Sequence, residues 1–169
     1  MGDANAEIDQ TPVTVALYST IWIALTLFVI AQHGLRRAGT ARWVLPINIA
    51  GLVLCVTHIV IAMASVHGWS HASAIEVTAR STAAVYGLRW GGGVFVNYLF
   101  VAVWAVDAWR AYLRGDRAEF WGLRFALRLF YAIVIVNAAV VFARWPMRIV
   151  GVCLVIALVT AWNRRVSAL

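Results

Sequence analysis

Three histidines, His58, His67 and His71, lie in one stretch of a chain that is otherwise 63% hydrophobic and only 12% charged. Neutral imidazole is the commonest metal ligand, and a haem iron needs one or two such nitrogens in an apolar pocket, so these three are the candidate metal or haem ligands. His67 and His71 have the i, i+4 spacing that sets two rings on one helix face, although Gly68 and Ser70 between them oppose a helix. The competing reading is a pair of wet interfacial histidines beside Trp69. His58 is nine residues before His67, on the opposite face of a continuous helix at ~100° per residue, so a joint site requires the chain to turn at Gly68. Cys55-x-x-His58 brings a thiol near an imidazole as a soft-metal pair, though core packing is the commoner meaning of such spacing.

A second group is made of hydrogen-bonding side chains. Tyr18, Ser19, Asn97 and Asn137 fall in apolar runs at depths that match His58, which predicts one polar layer. Such groups either bond across helices, at roughly 0.6 to 2 kcal/mol each, or surround a ligand. Asp107 and Arg110, three apart, read as a structural ion pair. Cys55 and Cys153 both fall in apolar runs, where small buried hydrophobes are expected. The glycines 91 to 93 lack the Gly-Lys-Ser/Thr of a phosphate loop and read as a close-packing site or a backbone approach to a cofactor. No Ser-His-Asp set, carboxylate pair or zinc motif is present, so no catalytic residues are assigned.

The elements that position these groups are apolar helices. About 20 mainly apolar residues are needed to cross ~30 Å of hydrocarbon, where unpaired backbone groups find no partner. Runs at about 12–33, 44–65, 92–112, 124–143 and 147–163 meet that need, the last being short. Together they predict an all-α integral membrane protein, a single transmembrane domain over residues 1–169 with a bundle of five transmembrane helices. Thr11-Pro12 reads as a helix start, Pro46 is tolerated in a first turn, and Trp43 anchors at the interface. Ser73-x-x-Glu76 has the form of a capping box, predicting a short outer-face helix near 73–86, and Asp116-x-x-Glu119 repeats the pattern. Arg144-Trp145-Pro146 marks a break before the last run.

The acidic N-terminal residues Asp3, Glu7 and Asp9 have no basic companion, so the first run is expected to be a retained span rather than a cleaved signal. The formal charge is +7, and the basic residues are arginines at the ends of apolar runs, which report headgroup contact and orientation rather than nucleic-acid binding. One side collects Arg36, Arg37, Arg42, Arg110, Arg114, Arg117, Arg124, Arg128, Arg164 and Arg165, the other Arg80, Arg89, Arg144 and Arg148. The positive-inside rule then puts the N-terminus outside and the C-terminus in the cytoplasm. His33 falls near the cytoplasmic end, away from the other histidines.

The passage from Thr57 to Trp109 resembles a block of small bacterial multi-span membrane proteins in which a TH, an H-x-WSHA, a WGGG and a VNY followed by W-x-x-D recur in this order. The resemblance implies a bacterial inner-membrane protein and no activity. The expectation from the residues is a non-catalytic protein that works as an oligomer or as an accessory subunit of a membrane complex. The rival is a redox protein holding haem b or a transition metal, with His58 as the buried ligand and His67 or His71 as the second. An oligomeric channel or transporter, with Asn97 and Asn137 lining an outer vestibule, is the third, although no duplicated half or interrupted helix pair points that way.

Overall fold

A computed structural model describes residues 12–34, 42–114 and 121–163. Among these every regular element is helical: α1 (Pro12–Gly34), α2 (Val44–Ser65), α3 (His71–Tyr86), α4 (Gly93–Arg114), α5 (Trp121–Val136) and α6 (Met147–Asn163), with a π-helical turn at Asn137–Val141 continuing α5. Three stretches, Pro12–Gly34, Val44–Ser65 and Gly122–Val141, are long and apolar enough to cross a membrane. Helix α4 is as long as α2, at 22 residues, but Asn97, Asp107 and Arg110 dilute its apolar character. Helix α6 is apolar and has 17 residues. The N-cap Thr11, the Asp116–Glu119 pair and Arg36, Arg37, Arg117, Arg164 and Arg165 lie outside the described residues.

Local chemistry explains most boundaries. Pro12 opens α1 in the position where its missing N–H costs nothing. The start of α3 differs from the expected capping box: the cap is Ser70, in an extended conformation, whose hydroxyl accepts the Ser73 N–H at 3.2 Å. Helix α3 therefore begins at His71, and the Glu76 carboxylate instead accepts from Arg89 and lies 3.6 Å from Arg80 Nε. Gly87, left-handed at φ 71°, ends the helix. The chain then runs to Gly91, where a Cβ would stand 2.6 Å from the Ile75 carbonyl oxygen. The glycine run thus lets α4 start directly against α3.

The π turn exists because the Phe142 N–H bonds back to the Asn137 carbonyl, five residues earlier, at 2.9 Å. Carbonyls freed at that end are taken up by Arg148, whose Nε donates to Ala143 at 2.7 Å and Nη2 to Val141 at 3.3 Å. The Trp145–Pro146 peptide, just before α6, is cis.

Packing has two centres. The larger is aromatic: the Phe28 ring of α1 meets Trp104 of α4 edge-on at 5.0 Å, Tyr131 of α5 at 4.9 Å and Phe100 of α4 at 5.9 Å. These geometries match the ring quadrupoles, and Phe28 and Trp104 are almost wholly buried. Two polar ties accompany it, the Trp104 indole donating to buried Asn48 at 3.0 Å and the Trp162 indole to Gln32 at 3.2 Å. The smaller centre joins α2, α3 and α4 through Met63, Ala74 and Val94, with Ile59, Ile75 and Tyr98 packed around them.

Candidate functional site at the α2–α3 turn

Helix α2 does not simply end before α3. The His67 N–H reaches the Ala62 carbonyl at 3.1 Å, and the Trp69 N–H folds back to the Met63 carbonyl at 2.8 Å. Gly68 and Trp69 are both left-handed, at φ 55° and 59°. A bulky non-glycine residue in that region stores strain, held here by the surrounding hydrogen bonds. The Ser70 N–H bonds to the His67 carbonyl at 3.0 Å, closing a turn from which His71 opens α3.

This clip gathers a donor set. Met63 is 6% exposed, and its sulfur meets the Tyr98 hydroxyl at 3.8 Å. The Tyr98 ring stands at 69° to the exposed His71 ring, 6.0 Å between centroids. His67, in the turn just beyond α2, has a buried Nδ1 with no hydrogen-bond partner. Only one other buried side-chain N or O among the described residues shares that state, Arg128 Nε. A buried polar atom without a partner forfeits its hydration, a cost of ~1 to 3 kcal/mol.

His58 points elsewhere. Its Nδ1 lies 2.9 Å from the Leu17 carbonyl of α1 and 3.5 Å from the Thr20 hydroxyl. A carbonyl can only accept, so Nδ1 carries the proton and ties α2 to α1. No group of three or more His, Cys, Asp or Glu side chains among the described residues is placed to hold a metal ion, so His58, His67 and His71 do not form one site.

Nor are the amides and hydroxyls of the expected polar layer gathered. Tyr18 and Ser19 are exposed, the latter donating to the Val15 carbonyl of its own helix at 2.8 Å. Asn137 donates to the Ile133 carbonyl at 2.8 Å and accepts from the Tyr86 hydroxyl of α3. Asn97 is exposed, with no hydrogen bond among the described residues. For Ser19 and the Asn137 amide N–H the physical reason is local supply: the carbonyl one turn back is in reach without a partner across the bundle.

At the opposite end Asp107 accepts from the Tyr131 hydroxyl at 3.2 Å. Both cysteines are free; Cys55 is buried, whereas Cys153, expected to be buried, is exposed on α6. Sequence reasoning passed over Met63, Tyr98, Asn48 and Gln32. The signal for the amides was available, since an indole N–H in an apolar helix, buried at Trp104 and part-buried at Trp162, demands an acceptor. Met63 carried no such signal, because a thioether in an oily run reads as packing. No protein-family model, no curated protein and no solved structure matches the chain.

Proposed function

We propose that the chain is a non-catalytic, multi-pass protein of the bacterial inner membrane that works as an assembly, with self-association favoured over service as an accessory subunit. In this reading α4 and α6 cross the bilayer with the three longer apolar stretches, giving five spans with α3 on the outer face and the C-terminus in the cytoplasm. The arginine distribution supports the orientation.

The observation that carries the assembly is Asn97. It lies one turn before Phe100 on the flank of α4 that enters the aromatic core, yet it is exposed and unbonded among the described residues. An amide in hydrocarbon is costly without a partner. It also has both donor and acceptor, so a second copy related by a two-fold axis satisfies both groups at once. Only 22% of the residues in each of the three long apolar stretches, Pro12–Gly34, Val44–Ser65 and Gly122–Val141, are buried within the chain, leaving ample surface for contact. Native mass spectrometry in mild detergent tests the assembly: a homo-oligomer supports it, and monomer alone opposes it. Topology is tested by single cysteines in a chain freed of Cys55 and Cys153. Ser81→Cys should react with a membrane-impermeant maleimide in intact cells and Arg42→Cys only after lysis; the reverse result overturns the orientation.

A second reading, a redox protein with haem b or a transition metal in the outer half, is favoured by the unpartnered Nδ1 of His67. Its test is an absorption spectrum with elemental analysis of the purified protein. A Soret band or stoichiometric metal supports it, and a colourless, metal-free folded protein that takes up no metal opposes it.

A further inference from the structure

We propose that the Met63 thioether and the imidazoles of His67 and His71 bind one soft monovalent metal ion, copper(I) by chemistry, at the α2–α3 turn. The proposal rests on the metal-binding reading and commits it to an ion and to a donor set that excludes His58; it stands whether or not the chain self-associates.

Three observations converge. The first is placement: the Trp69 N–H on the Met63 carbonyl at 2.8 Å, with the Ser70 N–H on the His67 carbonyl at 3.0 Å, ties the backbone that carries both histidines back to the last turn of α2, which carries Met63. Tyr98 is the common neighbour, touching the Met63 sulfur through its hydroxyl and the His71 ring through its edge. The second is the buried, unpartnered Nδ1 of His67, which lacks a hydrogen-bond partner and, in the tautomer protonated at Nε2, has a lone pair for a metal. The third is backbone strain at Trp69, a left-handed tryptophan in the middle of the clip.

The donor set selects the ion. Thioether and imidazole are neutral, and soft sulfur prefers copper(I) to zinc or magnesium. An anionic ligand would favour a divalent ion by offsetting its charge. The nearest carboxylate on α3, Glu76, is engaged by Arg89 and lies 3.6 Å from Arg80, so it supplies none. The last carbonyls of α2 add the negative end of a helix dipole, which favours a cation there. The Tyr98 hydroxyl makes only a weak contact to sulfur, which metal binding can replace without leaving a strong hydrogen bond broken.

The test uses the full chain in detergent, with silver(I) as a redox-silent probe and copper(I) held under reductant against a chromophoric chelator. The expected result is one ion per chain. The methyl carbon signal of isotopically labelled Met63 should shift on silver addition while that of Met147 stays in place. Met63→Leu, which keeps side-chain volume, and His67→Gln or His71→Gln should each weaken binding by about tenfold or more, in the range typical of disturbed metal sites. His58→Asn should leave it unchanged. Circular dichroism and size-exclusion profiles establish that each variant is folded; should His67→Gln fail, the Met63 signal and Met63→Leu decide alone. Binding that survives Met63→Leu, or an unmoved Met63 signal, overturns the proposal. Zinc bound as tightly as silver at these residues overturns the choice of ion but leaves the metal-binding reading in place. No uptake of any metal removes both.

Discussion

Replacing Gly151 by alanine probes the closest approach to a glycine among the described residues. A Cβ at this position would stand 1.8 Å from the Ala139 carbonyl oxygen and 2.5 Å from its carbonyl carbon. Both atoms belong to the backbone of the π turn, so no side-chain rotation relieves the clash. Restoring a separation of 3.0 Å requires α6 and the π turn to move apart by about 1.2 Å. That movement pulls on the two Arg148 hydrogen bonds that close the turn. Overpacking of this kind costs about 1 to 3 kcal/mol, and backbone rigidity places it in the upper half of that range. At ~2 to 4 °C per kcal/mol, the thermal midpoint followed by circular dichroism in detergent should fall by about 4 to 12 °C. Gly68→Ala is the control: its Cβ meets nothing within 4 Å, and its left-handed φ of 55° costs only about 1 to 2 kcal/mol. A Gly151→Ala protein that melts with the wild type, or above Gly68→Ala, would refute the close approach of α6 to the Ala139 carbonyl.

Other perturbations have equally definite outcomes. Asn48→Ala leaves the buried Trp104 indole without its acceptor and should cost about 1 to 3 kcal/mol, and the double variant with Trp104→Phe should lose less than the sum of the single changes in a denaturation cycle. Phe28→Ala empties the centre of the aromatic cluster and should cost about 3 to 5 kcal/mol by the same measurement. Glu76→Gln weakens the pairing with Arg89 and Arg80, but the carboxylate is 47% exposed, so solvent screening limits the loss to under about 1 kcal/mol; raising the salt concentration should shrink it further.

Helix positions were legible in the sequence wherever hydrophobic length and helix-end chemistry agreed. The expected run at 44–65 and the last one at 147–163 coincide with α2 and α6, because proline, glycine and arginine punctuate them. The start of α3 was misplaced because two serines, Ser70 and Ser73, compete to cap it. Only the backbone conformation of the turn, set by Gly68 and Trp69, decides between them. The end of α5 as a π turn carried no sequence signal at all; it follows from the packing of Gly151 and the reach of Arg148.

For the candidate site, sequence located the histidines and the turn at Gly68 but not their partners. Depth along a helix can be counted from a sequence, whereas the direction a side chain faces depends on which neighbour the helix packs against. That is why His58, at the expected level, turns to Leu17 of α1, while Met63, not singled out at all, faces Tyr98. Asn97 is the opposite case: its type marked it as out of place, and its exposure on α4 makes it the residue on which the proposed assembly depends.

Native mass spectrometry of the full chain, purified from its own membrane in mild detergent beside Asn97→Leu, tests that assembly most directly. A homo-oligomer for the native chain and monomer for Asn97→Leu is the expected result. Monomer for both, with no other subunit retained, would contradict it.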